Sequence, residues 1–120
     1  MLQVKRIKKE RLKFAAITVS INSNYAYFNV HGNKCAKGAI RVTLEVTKNN
    51  PLIRDGLYLI LNRDGNIPIV RNFETNKFGF SATALKQHLF ESNLLTPICR
   101  FRMKYIMGTK KAKLYQLIKI

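Results

Sequence analysis

Apolar and polar residues alternate along most of this chain, with a period of two. "KFAAITVSI" (13–21) sets Ile17, Val19 and Ile21 on one face. "NSN" then signals a turn, and "YAYFNV" (25–30) predicts a second strand with Tyr25 and Tyr27 on a shared face. "HGNKCAKG" (31–38), with its two glycines, reads as a loop. "AIRVTLEVT" (39–47) alternates most regularly. It points Ile40, Val42, Leu44 and Val46 inward and Arg41, Thr43, Glu45 and Thr47 outward. "LYLILN" (57–62) is continuously apolar between two Arg-Asp-Gly tripeptides, which predicts a buried strand bounded by Asp-Gly turns. In "IPIV" (67–70), Pro68 lacks an N–H to donate and confines the strand to an edge or a bulge.

The period changes at "SATALKQHLFESN" (81–93), where Ala84, Leu85, His88 and Leu89 fall on one helical stripe. Ser81 or Thr83 is the expected N-cap and Asn93 the C-terminal stop. Two more strands, about 98–106 and 111–119, close the chain. Many short strands with one late helix predict an α+β, mainly β fold. The expectation is a small curled antiparallel sheet or β-barrel with one helix and a C-terminal β-hairpin. The length of 120 residues fits one domain, with residues 1–12 as a basic arm or a lead-in to the first strand. No βαβ alternation supports a doubly wound sheet.

Charge changes the picture most. Lys and Arg number 22 against 6 acids, a net charge of +16. Solubility asks for a net charge of only ~2 to 8 in a small domain, and self-repulsion beyond that opposes compaction. A polyanionic partner is the usual compensation, and nucleic acid is the commonest. The last strand pair concentrates the excess. With "MGTK" (107–110) as a two-residue type II′ turn, Met107 pairs with Lys110. Cys99, Phe101, Met103, Tyr105 and Leu114 then face inward, and Arg100, Arg102, Lys104, Lys111, Lys113 and Tyr115 form an outward strip. Cations guarding a strand edge explain one or two such residues. Five without an interleaved acid suit phosphates, with Tyr115 placed to stack on an unpaired base. Lys5, Arg6, Lys8 and Lys9 in the N-terminal segment, and Lys34 and Lys37 in the glycine-containing loop, are further candidate phosphate contacts.

Other chemistry is thinly supported. Cys35 and Cys99 form no CxxC, and neither His31 nor His88 sits at a metal-ligand spacing from them, so two reduced thiols and no cofactor or metal are expected. "GNKCAKG" lacks the GK[ST] ending of a P-loop. "NKFGFSA" (76–82) matches the first RNA-recognition signature only in its alternating aromatics, so Phe78 and Phe80 read as core residues flanking the helix. The acids show no paired arrangement that would suit a nuclease. No run approaches the ~18 apolar residues of a membrane span, and a cytoplasmic protein is expected. The expected function is non-enzymatic binding of nucleic acid, RNA or single-stranded DNA before duplex DNA, with regulation of expression in a phage or mobile element as the expected setting. The alternative is a basic interaction or inhibitor protein that docks on an acidic protein or a nucleic-acid-processing machine.

Overall fold

The computed structural model describes residues 12–120. The chain runs β1 (Ala16–Ser20), β2 (Tyr25–Phe28), α1 (Val30–Ala36), β3 (Arg41–Thr47), β4 (Gly56–Asn62), β5 (Ile67–Asn72), β6 (Lys77–Ser81), α2 (Thr83–Glu91), β7 (Ile98–Gly108) and β8 (Lys113–Lys119). The strands close into a barrel in the order β1-β2-β6-β5-β3-β4-β8-β7, every pairing antiparallel. Closure comes from β7, which pairs with β1 from Ala16↔Arg102 to Ser20↔Ile98.

Alternation fills the interior. Ile17, Val19, Phe28, Phe80, Phe101 and Cys99 are buried along neighbouring strands. The rings of Phe28 and Phe80 lie 5.7 Å apart. Leu59 and Leu61 of β4 point into the same core, while Tyr58, which precedes Leu59 on the opposite face, is also buried, its hydroxyl donating to the Arg54 carbonyl at 2.6 Å. Burial on both sides explains why this segment is continuously apolar.

The two helices sit at opposite ends. α2 follows β6 at the end where the β1–β2 turn lies, and it buries Leu85 and Leu89. Asn93 ends it in the left-handed conformation at φ 56°, as expected. Its N-cap is Ala82 rather than Ser81 or Thr83, and the Ala82 N–H is satisfied by the Asn24 carbonyl instead of by a hydroxyl.

α1 occupies the segment that reads as a loop from sequence. Its glycines misdirect the reading: Gly32 lies where a side chain would press on Phe28 Cβ at 3.1 Å, so glycine allows close helix packing. The helix is started by Asn29, whose Oδ1 accepts from the Gly32 N–H at 2.7 Å and the Ala16 N–H at 3.0 Å. Its Nδ2 donates to the Phe14 carbonyl at 2.8 Å, so one side chain ties β1 to α1. β6 is a second surprise. Phe80 is core and Phe78 half-buried, as expected, but they belong to a strand. Gly79 separates them because a Cβ there would stand 2.6 Å from the Ala26 carbonyl and 2.8 Å from the Tyr27 ring.

A closed barrel has no free edge for Pro68. The proline sits instead in the shortest ladder, where β3 and β5 share only Arg41↔Pro68 and Val42↔Ile67. Ile21, Ile40 and Val46 are exposed rather than inward, since they lie at or beyond the ends of the layers that the barrel interior covers.

The closing hairpin departs furthest from the sequence pattern. Its loop is 109–112, held by Thr109, whose N–H donates to the Ala112 carbonyl and whose Oγ1 accepts from the N–H groups of Lys111 and Ala112. Gly108 is still in the ladder, opposite Lys113. A β-bulge between Tyr105 and Met107 leaves Ile106 as an extra residue. From Tyr105↔Tyr115 to Phe101↔Lys119, odd-numbered residues of β7 therefore oppose odd-numbered residues of β8. Tyr115 and Leu117 are buried in the barrel, and Leu114 turns outward to a half-buried position. Tyr115→Ala is expected to lose about 3–5 kcal/mol in chemical denaturation, as for a buried aromatic. Tyr105→Ala, on an exposed ring, should cost about 1 kcal/mol or less. Equal small losses would return Tyr115 to the outer surface.

Candidate nucleic-acid interface

Successive outward residues of one strand stand about 6.6 Å apart, so Arg100, Arg102 and Lys104 make a straight track on the outside of β7. All three are exposed, while Cys99, Phe101 and Met103 alternate with them into the core. The Arg102 guanidinium lies 4.9 Å from the centre of the Phe14 ring, which shields one of its faces. Lys104 stands opposite Gln116, not opposite Lys113, so the four-residue loop and the bulge together remove the like-charge pair that the simple register creates.

Cross-strand register extends this track sideways. Arg100 is opposite Thr18, Thr18 is opposite Tyr27, and Tyr27 is opposite Gly79. Two strand spacings separate Arg100 from Tyr27, about 10 Å between their Cα atoms. Tyr25 lies on the same outer face, its ring 6.2 Å from that of Tyr27. The Tyr27 ring packs beside Gly79, which holds it against the barrel wall. A cationic track thus runs beside a tyrosine pair, separated by small polar residues of β1, Thr18 and Ser20.

The remaining candidates divide. Lys111 and Lys113 leave the outward strip and meet Lys37 at the barrel end beneath α1. There they line a cavity of about 160 Å³ together with Cys35, Arg63 and Lys110. Lys111 belongs to the hairpin loop rather than to a strand face, and Lys113 shares the inward parity of Tyr115. Arg63 and Lys110 are absent from the candidates drawn from sequence. Arg63 sits in the second Arg-Asp-Gly tripeptide, where the turn accounts for the motif and hides the arginine's position. Lys34 is exposed in the last turn of α1 and does not line the cavity. Lys5, Arg6, Lys8 and Lys9 lie outside the described residues.

Tyr115 cannot stack on a base from where it stands. Its ring packs edge-on to Tyr105 at 5.6 Å inside the barrel mouth. Burial pushes its phenol well above the ordinary tyrosine range, with the neighbouring Cys35 thiol and Tyr105 adding to the effect.

Among the described residues no group of three or more His, Cys, Asp or Glu side chains comes together as a metal site, and no helix is long and apolar enough to cross a membrane. Cys35 and Cys99 are both free, and Cys99 is buried. Comparison with protein-family models, curated proteins and solved structures finds no match for this chain.

The Tyr115 phenol gives a pH dependence with a defined sign. The folded chain retains a proton that an unfolded tyrosine releases near pH 10. Its contribution is complete below that pH and declines as the pH rises above it, towards the raised folded value. Denaturation of Tyr115→Phe alongside the parent should show a shallower loss of stability above about pH 10. Parallel losses in the two proteins would show that Tyr115 ionises freely.

Proposed function

We propose that this protein binds nucleic acid without processing it, with single strands of RNA or DNA preferred to duplex. The observation that carries this reading is the alignment of Arg100, Arg102 and Lys104 on one outward strand face, beside the outward pair Tyr25 and Tyr27. Guanidinium and ammonium groups neutralise backbone phosphates and release counterions. Tyrosine rings near such a track can stack on unpaired bases, at about 1–3 kcal/mol per base in comparable sites. A duplex hides its base faces, which is why single strands take precedence. Neither helix is placed as a reading element, since α1 and α2 close the barrel ends with their apolar faces. Regulation of expression in a phage or mobile element is the setting we propose for such a small basic binder.

One observation favours a second reading. Ile98 and Ile120 flank Arg100 around a shallow depression, and both are 59 % exposed. Apolar side chains beside a cation suit a protein surface with acidic and apolar residues better than they suit phosphate.

Fluorescence anisotropy with single-stranded DNA, RNA and duplex oligonucleotides at ~50 mM salt separates the two. Single strands should bind most tightly, and the affinity should weaken with a slope of about 0.7 per neutralised phosphate against log salt. Changing Arg100, Arg102 and Lys104 together to Glu should abolish binding and leave the thermal melt cooperative, because these side chains face away from the core. Absence of binding to all three nucleic acids by the parent protein would reject the reading in favour of the protein partner.

A further inference from the structure

We propose that the cavity at the α1 end of the barrel is a binding site for a terminal phosphate group, a phosphate monoester or a diphosphate. Its cations come from separate parts of the chain. Lys37 follows α1, Arg63 follows β4, Lys110 and Lys111 belong to the β7–β8 loop, and Lys113 opens β8. These five surround about 160 Å³, and the rest of the lining carries no carboxylate. A charge spread only for solubility would keep such groups apart, because each raises the cost of the next. Gathering them around a hollow lowers the potential energy of an anion placed inside it.

The connections that carry them are held in place. Gly38 turns the chain out of α1 at φ +87°, a conformation that glycine adopts without strain. The Arg41 guanidinium donates to the Gly65 carbonyl at 3.4 Å, and Gly65 leaves no room for a Cβ against the Val42 carbonyl. Thr109 braces the hairpin loop through the N–H groups of Lys111 and Ala112. An anion therefore meets cations whose backbones are already ordered, which reduces the entropy lost on binding.

Size and charge select the ligand. The cavity is smaller than the ~300–1,000 Å³ of sites that hold drug-sized molecules, and it suits a phosphate group rather than a whole nucleotide. A terminal phosphate carries about −1.5 to −2 charges and three free oxygens at neutral pH. An internal phosphodiester carries a single charge, so the cavity favours an end over the middle of a strand. The β7 track leads from Arg100 through Lys104 to the hairpin loop, so a strand lying on it would bring its end to the cavity. That source of the phosphate rests on the nucleic-acid reading above; a free diphosphate would fill the same cavity without it.

The test uses the full chain, an internally labelled single-stranded oligonucleotide bearing a 5′-phosphate, a 3′-phosphate or neither, and separately inorganic pyrophosphate followed by thermal melting. One terminal phosphate should tighten binding about tenfold, as one added charge-assisted contact would. The increment should vanish in Lys111→Gln/Lys113→Gln. Lys110→Gln/Lys111→Gln, confined to the exposed loop, serves if the first variant melts early. Pyrophosphate should raise Tm in the parent and not in these variants. Protection by pyrophosphate through the same lysines, with no oligonucleotide bound, supports the site with a free anion as its source and removes only the nucleic-acid reading. No end preference together with no pyrophosphate effect overturns the proposal, as does either effect persisting undiminished in the variants.

Discussion

One extra residue in β7 decides which way β8 faces. Ile106 bulges out of the ladder, and beyond it the odd-numbered residues of both strands share a side. Tyr115 and Leu117 enter the core because of it, and Lys113 is carried to the barrel mouth. Without the bulge, the register of Met107↔Leu114 would continue, and Tyr115, opposite Ile106, would face outside. Barrel closure depends on the same strand, since β7 is the one element that bonds to both β8 and β1.

Two cationic regions follow from this arrangement, and they differ in kind. The β7 track is open and linear, with its cations exposed to solvent and spaced by strand geometry. Its interactions are therefore sensitive to salt and tolerant of sequence. The cavity beneath α1 is concave and gathers its cations from three connections and the start of β8. Its cations are exposed like those of the track, but they converge on one hollow instead of lying in a line. A single charge count over the chain merges these two environments. Their separation is what allows the two regions to be proposed for different ligands.

Much of the fold was legible in the residues themselves. Alternation in 16–20 and 41–47, the apolar run at 57–62 and the helical stripe of Leu85 and Leu89 all correspond to observed elements. Short-range patterns succeed there because burial acts on each residue locally. They fail where a tertiary contact reassigns a residue. Gly32 looks like a loop residue until Phe28 and Asn29 require its small size, and the strand around Gly79 is not marked in the sequence because its small size answers to Ala26 and Tyr27 on the neighbouring strand. The site shows the same division. Arg100, Arg102 and Lys104 were legible as one face because they lie on the regular side of the bulge. Tyr115 and Lys113 were not, since one unpaired residue reverses the facing of the strand beyond it, and Lys111 was not, since it falls in a loop of four residues rather than two. Arg63 could be found only by folding the chain, because no sequence pattern connects it to Lys110.

The outer wall formed by β7, β1 and β2 is the surface on which the account stands or falls. Amide chemical-shift mapping of the full chain, titrated with a short single-stranded oligonucleotide, examines it directly without altering any residue. Shifts should concentrate at Thr18, Tyr25, Tyr27, Arg100, Arg102 and Lys104, with β3 and β5 on the opposite wall unaffected. A saturable footprint centred on β3 and β5, with the β7 track silent, would contradict the account.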